Sequence, residues 1–313
     1  MSQTAFLFPG QGAQIAGMGA DVAEACPAAM VVYEKANEVL GYDLKRLCFE
    51  GPEDRLAATD VSQPAIFVTS AALLAAWRCQ APSVPVPDAT AGLSLGEYTA
   101  LYAAGILDFE EALRLVQERG RAMQAAAEAS DGGMVSVIGL DEADVQRLCE
   151  DAAEGQLLVC ANFNCPGQIV VSGQRQACER LAARAPEYGA IKAVPLKVAG
   201  AFHTSLMQPA AEALRRALEQ TPVAEPAAVA VLANVDAEYY TTAQAVREGL
   251  VRQLVEPILW QRCMERLLAD GVELFYEIGP GRVLTGLMKR IHRRAKVVNI
   301  SSAESLRSAL GEA

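Results

Sequence analysis

Between about residues 128 and 198 the chain changes rhythm, and that change limits the available folds more than any other feature. Gly133 to Gly139 is strand-like, and Asp141 caps a helical stretch running to about Ala153. Leu157 to Asn162 and Ile169 to Ser172 are strand-like runs separated by the turn residues Asn164-Cys165-Pro166-Gly167. A helical pattern from Gln174 to about Ala185 then leads into an extended run, Ile191 to Val198. The order β-α-β-β-α-β is that of a ferredoxin-like unit. On both sides of it, short buried strands alternate with helices, as in α/β units with parallel connections. The expected fold is therefore α/β. Residues 1–127 and 199–313 form a large subdomain with a parallel sheet, and residues 128–198 form an inserted ferredoxin-like small subdomain.

In the first flank Thr4 to Phe8 reads as a buried strand, broken at once by Pro9-Gly10-Gln11-Gly12. Helical patterns follow around Pro27 to Leu40 and Pro64 to Gln80, and Pro82-Ser83-Val84-Pro85-Val86-Pro87 reads as an exposed connector. Ala89 to Leu93 is a second short apolar run, after which the spacing turns helical from Glu97, pauses near Gly105 and resumes behind a capping Asp108 to about Glu128. In the second flank a helix is expected over Leu206 to Glu219, a strand over Val229 to Ala233 and helices through Leu268. A last strand, Leu274 to Ile278, closes with Gly279-Pro280-Gly281 before a helix from Val283.

Composition excludes several classes. With 52% hydrophobic and 21% charged residues the chain is globular, and its net charge of -11 argues against nucleic-acid binding. The eight cysteines contain no CxxC pair and read as reduced thiols of a cytosolic protein. With only two histidines, a metal site is not expected. Met1-Ser2-Gln3-Thr4-Ala5 lacks the features of a secretory signal, and no run of about 18 apolar residues suggests a membrane span. A soluble cytoplasmic protein is expected, and a monomer, because no interface pattern is readable. One basic segment stands out: Lys289, Arg290, His292, Arg293, Arg294 and Lys296. It reads either as a solvated helix end or as a docking patch for an acidic partner.

The chemistry centres on Gly92-Leu93-Ser94-Leu95-Gly96, a G-x-S-x-G between an expected strand and an expected helix. A sharp strand-to-helix turn lifts the serine oxygen clear of the backbone, and the helix start aims N–H groups at a developing oxyanion. Serine needs a general base, for which histidine is the usual choice. His292 sits among cations that disfavour proton uptake. His203, in Gly200-Ala201-Phe202-His203-Thr204-Ser205, is the better placed, although such a residue also serves as a cap or a core histidine.

Taken together, these residues resemble the malonyl-coenzyme A:acyl-carrier-protein transacylases of fatty-acid synthesis and are similar to polyketide synthase acyltransferase domains. The likeness runs through Phe8-Pro9-Gly10-Gln11-Gly12, the Ser94 elbow with Glu97-Tyr98, and Glu118-Arg119-Gly120. It continues through Asn162-Phe163-Asn164-Cys165-Pro166-Gly167-Gln168, Gly200-Ala201-Phe202-His203-Thr204, Gln253-Leu254 and Glu277-Ile278-Gly279-Pro280-Gly281. The resemblance implies an α/β-hydrolase-like large subdomain, Ser94 as nucleophile and His203 as base, with the histidine oriented by a backbone carbonyl near Gln253. It implies an oxyanion hole from the N–H groups of Gln11 and Leu95, and a site lined by Asn162. The usual His before the nucleophile is Leu93 here, a departure that bears on acyl positioning and on the partition between transfer and hydrolysis.

Arg119 has two readings. On its helix it is either an exposed charge paired with Glu118 or Glu111, or the guanidinium that a malonyl carboxylate requires, because a planar fork binds that group bidentately. The family's carboxylate-binding arginine matches the second, and Phe202 resembles the malonyl-selecting form of its motif. Malonyl-coenzyme A as thioester substrate, acyl carrier protein as acceptor and no bound cofactor are then expected. Two rivals stand beside this reading: a serine hydrolase or thioesterase on the same scaffold, and a catalytically dead carrier-protein-binding homologue.

Overall fold

The computed structural model describes residues 3–80 and 84–311, so Pro82 and Ser83 of the expected connector lie outside the described residues. Nine strands are described: β1 (Gln3–Phe8), β2 (Ala89–Gly92), β3 (Gly132–Ile138), β4 (Leu158–Cys165), β5 (Gln168–Gln174), β6 (Lys192–Pro195), β7 (Ala230–Val231), β8 (Val272–Ile278) and β9 (Lys296–Ile300). They form a five-stranded sheet in the order β7-β2-β1-β8-β9 and a four-stranded sheet in the order β4-β5-β3-β6.

Every pairing in the larger sheet is parallel. β1 lies at its centre and is buried on both faces, which is why it reads as an unbroken apolar run. Successive side chains of a strand point to opposite faces. Phe6 and Phe8 therefore enter one core with Trp77 of the helix Thr59–Gln80, while Ala5 and Leu7 enter another with Trp260, Met264 and Leu284.

The smaller sheet is antiparallel throughout. The helices Glu142–Ala153 and Arg175–Arg184 cover one face, packing Val145, Leu148 and Leu181 against Val135, Val137 and Val171. Met134 and Val170 point the other way, into the core shared with the large sheet. The strand order and the two helices on one face make this the ferredoxin-like unit. Its open face roofs a cleft over the carboxyl ends of β1 and β2.

The departures from expectation have local causes. The helix expected from Pro64 begins at Thr59; a proline inside the pattern reads as a start, yet here it sits in the second turn. The hairpin turn shrinks to Pro166-Gly167, with Cys165 paired to Gln168 and Gly167 at φ +69. β6 ends at Pro195, and Leu196–Val198 leave the sheet to line the cleft. β7 has two residues rather than five. The strand β9, the terminal helix Ala303–Gly311 and the short helices Ala20–Ala25, Leu44–Glu50 and Glu53–Ala57 had no expectation behind them. Among the described residues no helix is long and apolar enough to cross a membrane, and no cluster of His, Cys, Asp or Glu could hold a metal ion.

Candidate active site

β2 ends at Gly92, the next helix is Gly96–Ala103, and Ser94 stands between them at φ +51. The left-handed region is unfavourable for a residue with a Cβ and persists only when its surroundings enforce it. A Cβ on Gly92 would fall 1.9 Å from the Gly96 carbonyl carbon, and one on Gly96 would fall 2.1 Å from the Phe8 oxygen. Only glycine allows strand, turn and helix to meet this closely. Asn234 clamps the turn from outside: its Oδ1 accepts the Ser94 N–H at 2.7 Å and its Nδ2 donates to Gly92 O at 2.8 Å. Among the described residues the N–H of Leu95, at the open start of the helix, has no intramolecular acceptor, and neither has that of Gln11.

His203 enters from the loop before the helix Gln208–Gln220, at φ +61. Its Nε2 lies 2.9 Å from Ser94 Oγ, and its Nδ1 lies 2.6 Å from the Gln253 carbonyl oxygen. A carbonyl can only accept, so Nδ1 carries the proton and Nε2 is free to take one. Burial, and after it the charge of Arg119, hold the imidazole down at about 3, while the bond to Gln253 works the other way. At neutral pH it is an uncharged acceptor facing the serine.

Arg119 is 1% exposed on the helix Phe109–Glu128, which excludes the surface-charge alternative. Nη1 donates to Gln63 Oε1 at 2.7 Å, and Nη2 donates to Gln253 Oε1 at 2.8 Å and to Ser94 Oγ at 3.0 Å. Nε is buried without a partner. Among the described residues no carboxylate forms a direct ion pair with the guanidinium; the charge of Glu97 reaches it only from beyond Gln253. Ser94 Oγ is therefore set between an uncharged imidazole and a cation, with a donor in reach for any negative charge it develops.

Ser94 and His203 open into a cavity of about 450 Å³ between the two sheets, and Arg119, outside its lining, stands behind the serine oxygen. Gln11, Leu93, Ser94, Asn162, Phe202 and His203 line it, so the structure gathers the elbow serine, the histidine and the expected lining residues in one place. Gln253 lies behind the wall, fully buried, and acts through both its carbonyl and its side chain. The basic segment is divided. Lys289 and Arg290 close the helix Val283–Ile291, whose other end sends Val283 and Leu287 into the cavity, and Arg293 and Arg294 lie exposed before β9. Arg290 is engaged in the fold, donating to Gln168 Oε1 at 2.8 Å and Pro166 O at 3.0 Å across the hairpin turn.

A family model described as an acyl transferase domain matches residues 5–308. The malonyl CoA-acyl carrier protein transacylase of Escherichia coli (strain K12) is 45% identical over 291 residues, 93% of each chain. Its namesake from Bacillus subtilis (strain 168) is 42% identical over 311 residues, 99% of this chain and 97% of the relative. The chain belongs to the malonyl CoA-acyl carrier protein transacylase family. A solved malonyl-transacylase in complex with a type II PKS acyl-carrier protein is 42% identical and superposes with a TM-score of 0.95 over 100% of both chains.

Three residues of this transacylase-family site escaped the sequence, Gln63, Asn234 and Tyr240, and a fourth, Glu97, stood in the family likeness without a role. Gln63 holds Arg119, and Tyr240 donates to the fully buried Glu97. Glu97 carried a usable signal, because it is the one acidic residue in Gly96–Ala103, a helix buried almost all round. Asn234 carried none, since an asparagine beyond a two-residue strand is indistinguishable from an ordinary turn residue.

Proposed function

We propose that this chain moves malonyl from coenzyme A to the phosphopantetheine thiol of an acyl carrier protein by a ping-pong route through an ester on Ser94. The observation that carries this reading is Arg119, a buried guanidinium with no carboxylate partner, 3.0 Å from the nucleophilic oxygen. A hydrolase of neutral acyl chains gains nothing from a buried unpaired cation, which is costly to hold. A malonyl group brings the missing anion.

In the first half-reaction Ser94 Oγ attacks the thioester carbonyl as its proton passes to His203 Nε2. The oxyanion meets the N–H groups of Gln11 and Leu95, and the coenzyme A sulfur leaves with the proton from His203. In the second half the carrier thiol gives its proton to His203, attacks the ester, and Ser94 Oγ takes the proton back. The bound carboxylate also offsets the charge of Arg119, one of the two causes that hold His203 low, so the correct substrate raises the basicity of its own catalyst. The steps call on a coenzyme A thioester as substrate and on no bound cofactor. The site is built within one chain, which supports action as a monomer, and its eight free cysteines support a reducing cytoplasmic setting.

The test is the ratio of malonyl to acetyl loading in Arg119→Ala and Arg119→Lys. Truncating one partner of a buried ion pair costs about 2–5 kcal/mol, so malonyl loading should fall very roughly 30- to several-thousand-fold in Arg119→Ala. Acetyl loading should be spared or improved, since His203 is then released from the cation, and Arg119→Lys should fall between because a point charge cannot replace the fork. An unchanged ratio would make Arg119 a structural charge only. A separate expectation concerns docking by Lys289, Arg290, Arg293 and Arg294. Charge reversal at Arg293 and Arg294 should raise the KM for carrier protein, leave that for malonyl-coenzyme A nearly unchanged, and lose effect in high salt. Equal effects on both substrates would remove the patch from the docking surface. Arg290 is left out of this test because its reversal would also disturb the hairpin turn.

A further inference from the structure

Glu97 takes no part in the steps above, yet the hydrogen bonds of the site converge on it. Tyr240 donates to its Oε1, while Gln253 Nε2 at 2.7 Å and the Asn234 N–H at 3.2 Å both donate to Oε2. Two of these donors hold the machinery. Gln253 gives its carbonyl to His203 and its Oε1 to Arg119, and its Nε2 also reaches Ser94 O at 2.9 Å; Asn234 clamps the elbow. Arg119 and Glu97 are thus joined through a single amide, guanidinium to Gln253 Oε1 and Gln253 Nε2 to carboxylate. A direct ion pair would satisfy the buried cation but would consume the donors that a substrate carboxylate needs. An interposed amide turns its oxygen to the cation and its N–H to the anion, and the two charges stabilise one another without touching.

We propose that Glu97 is the positioning residue of this site: its carboxylate fixes Gln253, and through it His203 and Arg119, and supplies the counter-charge that keeps Arg119 unpaired for the malonyl carboxylate. The inference rests on the malonyl-transfer reading and names the group that keeps the carboxylate pocket charged and open. Gln253 Nε2 and the Asn234 N–H can only donate, and the Tyr240 hydroxyl is free to donate as a third, so the site suits the ionised form; a proton there would cancel the counter-charge and turn Tyr240 from donor to acceptor.

Burial pushes this carboxyl up to about 7, against the hydrogen bonds from Tyr240, Gln253 and Asn234 and the charge of Arg119. The titratable groups around it are Tyr98 on its own helix, Arg119 on Phe109–Glu128, Tyr240 ahead of Ala243–Gln253, Cys263 on Trp260–Ala269, and His203 beyond Gln253. Burial pushes both tyrosines and Cys263 well above their ordinary values, so they stay neutral, and His203 is held near 3. Glu97 is the member of this group that changes charge near neutrality.

The experiment is kcat/KM for malonyl transfer to acyl carrier protein from about pH 5.5 to about 9, a quantity that reports the free enzyme's titrations. It is run on wild type, Glu97→Gln and Tyr240→Phe. Wild type should show an acid limb with a midpoint near 7. Glu97→Gln should lose the limb and fall roughly 10- to 100-fold at the alkaline plateau, the cost of a small misplacement of catalytic groups. Tyr240→Phe keeps the carboxylate but loses a donor that favours its ionised form, so its midpoint should rise by about one unit. A flat wild-type profile between about pH 6 and 8, or an unmoved midpoint in Tyr240→Phe, overturns the proposal. So does a Glu97→Gln enzyme that is merely less heat-stable and keeps the limb. Should Glu97→Gln fail to fold, Tyr240→Phe decides alone. A wild type that never takes malonyl onto Ser94 defeats the underlying reading, and this inference with it.

Discussion

Ser94→Ala is expected to leave no acyl adduct after exposure to malonyl-coenzyme A, with transfer reduced by on the order of 10⁶, the loss that accompanies removal of a catalytic serine. The substitution deletes one oxygen, and with it the contacts to His203 and Arg119. The clamp that shapes the elbow is untouched, because Asn234 holds the backbone N–H of residue 94 and the carbonyl of Gly92. Thermal unfolding should therefore move little while activity disappears. Adding His203→Ala to Ser94→Ala should cost almost nothing more, since the two act as a unit. An adduct that persists in Ser94→Ala would move the nucleophile to another side chain.

His203→Ala is expected to fold and to transfer malonyl about 10²–10⁴ more slowly, the range for loss of a general base. Among the described residues the side chains that reach Ser94 Oγ are His203 and Arg119, and a guanidinium cannot accept the proton, which leaves the imidazole. His292 provides the control. It is exposed at the end of the helix Val283–Ile291, and His292→Ala should transfer at the wild-type rate. Equal damage from both substitutions, measured as single-turnover acylation, would break the assignment. The imidazole also leaves a mark on stability. Its pKa in the folded chain lies below the ordinary 6.5, so its contribution is complete above about 6.5 and is lost as pH falls toward 3.

The elbow and the two-sheet architecture were legible because local chemistry dictates them. Two glycines flanking Ser94 answer to contacts of about 2 Å, and the β-α-β-β-α-β order of the insert is written in periodicity alone. The partners that hold Arg119 and the elbow were not legible. Gln63 and Asn234 meet residues 56 and 140 positions away, and no local pattern distinguishes an amide that reaches across the fold from one that faces water; Gln253 was expected at the site through its carbonyl, but not the reach of its side chain to Arg119, 134 positions away. β9 was hidden for a different reason: the cations ahead of it made the segment read as a helix end, and its five residues pair only with β8 at the sheet edge.

In the proposed route the acyl group rests on Ser94 between the two half-reactions. Intact-protein mass spectrometry tests it most directly: the enzyme is mixed with malonyl-coenzyme A alone, and carrier protein is added afterwards. A single malonyl adduct is expected, mapped to the peptide carrying Ser94, that survives removal of coenzyme A and vanishes on addition of carrier protein as malonyl-carrier protein appears. Malonyl-carrier protein formed without any enzyme adduct, or an adduct that water clears as fast as the carrier does, would contradict it.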